Sequence, residues 1–435
     1  MKKFLIALSF FTFHFSFAIA QKIEECYRAA ENNYPLIKKY DLISKTANLT
    51  VDNIAKSWLP QVSASAQATY QSAVTAWPDE LQGLMNQMGM NVKGLKKDQY
   101  RIGVDVQQTI YDGGSIRSKQ EIARLENDIA VAQTDVNLYD LRQRVTELYF
   151  GLLLLEQHLH SYYDRESLLL KNEDKLEKLF KHGAAAECDW KAVRAERISA
   201  SQAVADLEAQ RSLLERMLSV FCGMEKVEPQ IPSNTAANLS FGNSQNNVSY
   251  AHPKMQLYDT RLSLTQAQER SIDAALRPRL SAFASGYYGY PGYNIFDDMM
   301  HHRWTLNGMV GLRLTWNISG LYTRKNDKAR IATQRLQIEN ERDVFLFNSK
   351  IDIMQHDAEA ARYKEKLRSD DEIISLREAV RKASESKLDH EIIVAADLVR
   401  DINQESAARI SHNIHEIEMW KAIYLKLIAT NEDID

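Results

Sequence analysis

Proline limits this chain more than any other residue. Inside a helix it costs about 3 kcal/mol, and the 435 residues contain only eight, at positions 35, 60, 78, 229, 232, 253, 278 and 291. Residues 115–222 hold no proline and two glycines, Gly151 and Gly183, while residues 321–435 hold neither type. The spacing predicts long helices over 115–180 and 321–386, each about 100 Å at 1.5 Å per residue. Apolar residues recur along them at three- and four-residue steps. In the first they are Ile122, Leu125, Ile129, Ala132 and Val136, then Leu141, Val145, Leu148, Leu152, Leu155, Leu159 and Tyr162. Phe347, Ile351, Met354, Ala358 and Ala361 do the same in the second. Such a stripe is a coiled-coil seam.

The proline positions also repeat. Pro35 and Pro60 recur as Pro253 and Pro278 at a constant offset, and the segments after Pro60 and Pro278 match through to Tyr70 and Tyr288. Thr109, Gly114, Ala123 and Arg124 recur as Thr315, Gly320, Ala329 and Arg330 at a smaller offset, so the first copy has the longer loop. This is a tandem duplication: a first repeat at 21–224, a linker at 225–249, a second repeat at 250–428 and a tail at 429–435. Each repeat reads helix, strand, loop, strand, long helix, shorter helix. Alternating residues place strands at 61–71, 101–111, 279–290 and 304–316, and the shorter helices fall at 187–222 and 392–428. Pro60, Gly113, Gly114, Pro278 and Gly320 mark the junctions between strands and helices.

Composition narrows the class. With 45% hydrophobic and 26% charged residues the chain should fold. Mean hydropathy is −0.40, and no apolar run long enough for a spanning helix follows residue 20, so any membrane crossing must use strands. A formal charge of −4 without a basic tail argues against nucleic acid as a partner. Residues 1–20 read as a secretory signal peptide: Lys2 and Lys3, an apolar stretch, then Ala18-Ile19-Ala20. Cys26, Cys188 and Cys222 are an odd number at unrelated spacings, so neither a disulfide framework nor a zinc knuckle is expected.

Four strands of about ten residues span an outer-membrane apolar band but cannot close a barrel. Since open edges are not viable in lipid, several chains must join; three give twelve strands and room for a lumen. Tyr70, Tyr111, Tyr288, Trp304 and Trp316, with Tyr100, Tyr287, Tyr290 and Tyr293, cluster near the strand ends as membrane-interface girdles do.

The duplicated order, the strand starts at Pro60 and Pro278, the strand exit Gln108-Thr-Ile-Tyr-Asp-Gly-Gly114 and the turns around 180–189 and 388–397 together resemble the outer membrane factors, the TolC-like outer membrane efflux proteins. The resemblance implies a mainly α fold with a transmembrane β-barrel: a homotrimer with twelve strands in the outer membrane of a Gram-negative bacterium and a twelve-helix periplasmic tunnel. It implies a passive exit duct of a tripartite efflux pump or type I secretion system. Its partners would be outer membrane lipid, a periplasmic adaptor and an inner-membrane pump, with no cofactor. The tip turns for the adaptor would be Gly183, Ala184 and Ala185 in the first repeat and Glu391 and Ile392 in the second, where Glu391 stands at the family's glycine position. Asp189 and Asp397 match the family's tip aspartates, which form a carboxylate ring on a trimeric pore, and Arg400 one turn on is a candidate partner for closing it. Both aspartates also suit the plain role of starting a helix.

Other readings carry less. Met85, Met88 and Met90, and the run Asp297-Asp298-Met299-Met300-His301-His302, contain soft-metal ligand types but read as flexible loop composition, and no metal site is expected. No nucleophile, base or phosphate loop stands at an informative spacing, so the chain is not expected to be an enzyme. The contrasting reading is a periplasmic coiled-coil adaptor or scaffold without a pore.

Overall fold

A computed structural model describes residues 22–90, 94–232, 248–390 and 392–431. The leader at 1–20, Glu391, most of the linker and the end of the tail lie outside the described residues. In chain order the elements are α1 (Ile23–Asn33), α2 (Lys39–Ala55), β1 (Gln61–Tyr70), α3 (Asp79–Gln87), β2 (Asp98–Tyr111), α4 (Ser115–Lys181) and α5 (Glu187–Cys222). The second repeat follows with α6 (Pro253–Ala275), β3 (Arg279–Tyr290), α7 (Ile295–His301), β4 (Thr305–Thr315), α8 (Gly320–Asp389) and α9 (Ala395–Thr430). The chain divides into a helical unit, residues 1–39, 133–256 and 342–435, and a sheet unit, residues 40–132 and 257–341.

In the sheet unit the strands form one antiparallel sheet in the order β1-β2-β3-β4. Strand pairing therefore joins the two repeats through β2 and β3, which lie far apart in sequence. The turn into α4 is built by Asp112, whose carboxylate accepts the N–H groups of Gly114 at 2.9 Å and Ile116 at 2.5 Å. Both are donors that a helix start leaves without intrahelical partners. Gly113 has φ +72, and a Cβ there would stand 2.7 Å from the Cβ of Arg277, so glycine is required on two counts. In the second repeat Asn317 Oδ1 accepts the Gly320 N–H at 3.3 Å, and Pro60 and Pro278 sit just outside β1 and β3, where no ladder donor is missed.

The loops between paired strands are more ordered than their composition indicates. Met85 lies within α3, and Met299, His301 and both aspartates lie within α7. The α7 segment is held by its own polar groups: Asn294 caps it by accepting the Asp297 N–H, and the buried Asp298 carboxylate accepts the Gly292 N–H at 2.5 Å. Met299 is buried with Leu95 and Tyr290. These residues build a loop core, and among the described residues no three His, Cys, Asp or Glu side chains group as metal ligands.

The helical unit has two cores. In the larger, α1 presents Ile23, Cys26, Tyr27 and Ala30, the spacing of one helix face, to Val145, Tyr149, Phe150 and Leu152 of α4, Leu218 and Cys222 of α5, and Ile417, Trp420 and Ile423 of α9. Each fully buried side chain of this size contributes about 1.5–3 kcal/mol. Its polar groups are paired: Tyr27 Oη with Thr146 Oγ1 at 2.6 Å, Arg142 with Glu31 at 2.7 Å, and Tyr149 Oη with the Gln230 backbone. The smaller core gathers Leu169 and Leu176 of α4, Val193 and Ala200 of α5, Leu388 of α8, and Ala395, Leu398 and Ile402 of α9 behind the two helical turns.

Candidate functional site

Two regions carry the predicted functional residues, and the first is the sheet. Its register places Val62 opposite Val106, Val106 opposite Ala284 and Ala284 opposite Val310. The next rows on the same face are Ala64, Val104, Gly286 and Gly308, then Ala66, Ile102, Tyr288 and Leu306. Leu280, Ala282, Leu312 and Leu314 extend it, and none of these side chains is charged. The face is bare: Leu306 is 83%, Val310 81% and Leu312 70% exposed.

The opposite face carries Ser63, Asp105, Ser285 and Met309 in one row and Gln67, Arg101, Gly289 and Thr305 in another. Arg101 lies over the Tyr287 ring at 4.1 Å and donates to Ser285 at 3.3 Å, while Arg313 lies over Phe283 at 4.8 Å. A sheet with one uncharged face and one polar face is suited to stand between hydrocarbon and water. Its outer strands, β1 and β4, each leave one edge without a partner strand among the described residues.

The girdle aromatics divide into two groups. Tyr70, Tyr111, Tyr288, Trp304 and Trp316 are exposed, with Trp304 stacked on Tyr100 at 5.8 Å and Trp316 Nε1 donating to the Leu276 carbonyl at 2.9 Å. Tyr287 and Tyr290 do not join them. Tyr287 is buried beneath Arg101 and against Tyr293, and Tyr290 is buried in the loop core, where its hydroxyl accepts the Lys96 N–H at 2.9 Å.

The second region is the pair of helical turns in the helical unit. Gly183, at φ +77, closes the first; the Ala184 N–H donates to Leu179 O at 2.8 Å, and Ala185 packs against the small core. In the second turn the Ile392 N–H donates to Lys387 O at 2.9 Å, the same bond at the equivalent place, and Ile392 is exposed. Asp189 and Asp397 stand in the first turns of α5 and α9, where a negative charge favours the helix start. Neither helix has a side-chain cap at its N-cap residue, Ala186 or Val394. Asp397 pairs with Arg400 at 3.3 Å, and Arg400 also reaches Asp401 at 3.7 Å. Among the described residues Asp189 forms no ion pair.

Behind each turn lies a half-buried ion pair that the repeat search does not find. In the first hairpin Glu173 of α4 pairs with Arg197 of α5, and in the second Arg381 of α8 pairs with Glu405 of α9. The positions correspond, but the charges are exchanged, so a search for identical residues passes over them. Arg409 joins Glu405 at 2.7 Å and Glu378 at 3.1 Å. Lys382 beside Glu378 holds its carboxyl below the usual range.

A family model for outer membrane efflux proteins matches residues 26–223, the first repeat. No curated protein matches the chain. Solved structures match nearly all of it. A CusC structure described with transmembrane channel formation has a TM-score of 0.67 at 11% identity and covers 95% of this chain and 93% of its own. The outer membrane protein VceC from Vibrio cholerae gives 0.66 at 11% identity, covering 94% and 95%. The Campylobacter jejuni CmeC outer membrane channel gives 0.62 at 13%, covering 94% and 85%. At these identities the structures speak for the fold, which extends over both repeats, while the family match speaks for lineage. The first repeat is thus similar to the outer membrane efflux protein family, and both repeats share the fold of solved outer membrane efflux channels.

Proposed function

We propose that three copies of this chain close a twelve-stranded barrel in the outer membrane, continued by a twelve-helix periplasmic tunnel, and serve as the passive exit duct of a tripartite efflux pump or type I secretion system. The observation that carries this reading is the two-faced sheet with its open edges. An uncharged face of exposed Leu, Val and Ile needs hydrocarbon beside it, and edges at β1 and β4 need strands from other copies. Twelve strands leave a lumen for the polar face with Arg101, Asp105 and Arg313. Energy would come from an inner-membrane pump, since a duct of this kind moves cargo down a path opened by others.

The helical turns are the proposed gate. Asp189 and Asp397, three of each around the axis, would raise cation occupancy at the narrow end, and the Arg400 pairing restrains Asp397 in this arrangement. A periplasmic adaptor would meet Gly183, Ala184, Ala185, Glu391 and Ile392 and favour the open state by binding it more tightly. The test is the mass of the protein in detergent together with conductance in a planar bilayer. A particle of three chains that forms small cation-selective channels supports the proposal; a monodisperse single chain without conductance overturns it. Leu312→Arg on the uncharged face should lower the yield of membrane-inserted trimer sharply, since an arginine at the bilayer centre costs about 2–4 kcal/mol per chain.

A further inference from the structure

Cys26 and Cys222, 196 residues apart, lie together in the larger helical core. Cys26 is 0% and Cys222 4% exposed, and the Cys222 Sγ stands 3.7 Å from the Cys26 carbonyl oxygen. The helices that carry them are fixed on both sides of this contact. Asn33, at the end of α1, donates to Val220 O at 2.9 Å and Phe221 O at 3.2 Å, capping the last turn of α5. Tyr34 stacks on Phe221 with ring centroids 6.4 Å apart, and Gly223 ends α5 in the left-handed conformation at φ +66. The end of α5 is thus clamped onto α1 where the two thiols meet. Cys188, the third cysteine, is exposed in the first turn of α5.

We infer that Cys26 and Cys222, free thiols in this structure, are joined as a disulfide in the cell, locking α1 onto the end of α5. The inference rests on the proposed function for one point only, the oxidising compartment in which an outer membrane protein folds. The oxidant is a protein disulfide of the exchanging class. The thiolate of one cysteine attacks a sulfur of that disulfide, forming a mixed disulfide and releasing one donor thiolate. The second cysteine then attacks the first cysteine's sulfur, the Cys26–Cys222 bond forms, and the second donor thiolate leaves. Two protons and two electrons pass from the pair, and the donor ends as a dithiol. The exchange takes place before the core closes. In the folded state both sulfurs are buried, with Cys26 at 0% and Cys222 at 4% exposure, out of reach of a donor disulfide.

Cys188 provides the internal reference. Protein from cell envelopes is denatured without reductant, alkylated and weighed, with its co-sedimentation with the outer membrane scored on the same samples. One alkylated thiol per chain before reduction and three after, with the Cys26 and Cys222 peptides recovered as a linked pair, is the expected result. Outer membrane protein with three alkylated thiols before reduction overturns the disulfide and leaves the duct reading intact. Protein absent from the outer membrane overturns the duct reading instead, and the pair is then tested alone by refolding the reduced chain in oxidised and reduced glutathione. Linkage of Cys26 to Cys222 there supports the pairing, and glutathione adducts on both cysteines overturn it. As a check on stability, reduction should lower the melting temperature of the wild type by several degrees. The Cys26→Ser, Cys222→Ser double variant should melt at the reduced protein's temperature with or without reductant; an oxidised wild type that melts no higher counts against the lock.

Discussion

The two helical hairpins share one plan and differ in sign. Both end in a turn closed by the same backbone bond, and both put an aspartate in the first turn of the returning helix. Behind the turn, Glu173 faces Arg197 in the first hairpin, whereas Arg381 faces Glu405 in the second. Duplication kept the geometry while the charges traded helices. The difference teaches that what was conserved between the copies is a neutral pair at one height, not particular residues. It also means that α4 matches α5 and α8 matches α9 in charge, while an exchange of partners between repeats sets glutamate beside glutamate.

The sharpest way to break the comparison is to reverse one sign. Glu405→Arg places a third guanidinium beside Arg381 and Arg409 in a site where the glutamate side chain is 9% exposed, and should cost about 3–5 kcal/mol. Glu173→Arg meets Arg197 and the exposed Arg194 and should cost about half that. Urea midpoints followed by circular dichroism in detergent give both values. Glu405→Arg combined with Arg381→Glu should recover most of the loss; equal losses in the two hairpins, or no recovery, would show that polarity is incidental.

A second difference lies at the start of each repeat, where Tyr34 precedes Pro35 and His252 precedes Pro253. His252 is packed against Tyr139 at 4.9 Å and Phe345 at 5.2 Å, and its Nδ1 accepts the Lys254 N–H. Burial, then the charges of Lys254 and Arg142, push it down to about 4. Its folded value lies below the unfolded one near 6.5, so its contribution is complete above pH 6.5 and is lost as the pH falls toward 4. His252→Tyr should remove up to about 3 kcal/mol of acid sensitivity over that window, measured as the change in melting temperature between pH 7 and 4. A profile unchanged by the substitution would place the acid-sensitive group elsewhere.

The proposed gate supplies a smaller effect. Asp189→Ala with Asp397→Ala should raise single-channel conductance and weaken block by divalent cations. Asp189→Asn alone should account for most of it, because Asp397 is already engaged by Arg400. Unchanged conductance in the double variant would remove the gate assignment. Arg400→Ala should shift stability least, by about 0.5 kcal/mol or less, since its side chain is 62% exposed; a larger loss would mean that neighbouring copies bury it.

Local signals were the legible ones. The absence of proline over α4 and α8, with Gly151 the one glycine in their interiors, and the Asp112-Gly113-Gly114 turn before α4, are properties of short windows, and the elements follow them closely. Alternation marked β1 and β3 even though alanine dilutes it. What the windows do not contain is pairing across the chain. Tyr287 and Tyr290 look like girdle residues until the register of β2 against β3 sets Tyr287 beside Gly103 on the face opposite Tyr288. Cys26 and Cys222 meet only because α1 packs along the end of α5. The exchanged ion pairs escaped for another reason: self-comparison rewards identity, and a swapped pair scores as two mismatches. The turn residues carry less local signal still, since nothing in their own sequence distinguishes an aspartate that starts a helix from one that lines a pore.

The unfinished edges of β1 and β4 have a genetic consequence. In the proposed trimer, a wall that three chains complete would fail if any one of them could not pair, so a strand-edge variant would act on its healthy siblings. In a cell making equal amounts of both, random assembly leaves only about one ring in eight free of the defective copy. Lesions on these two strands should therefore be dominant, while a lesion that abolishes the chain altogether is recessive and merely halves the supply.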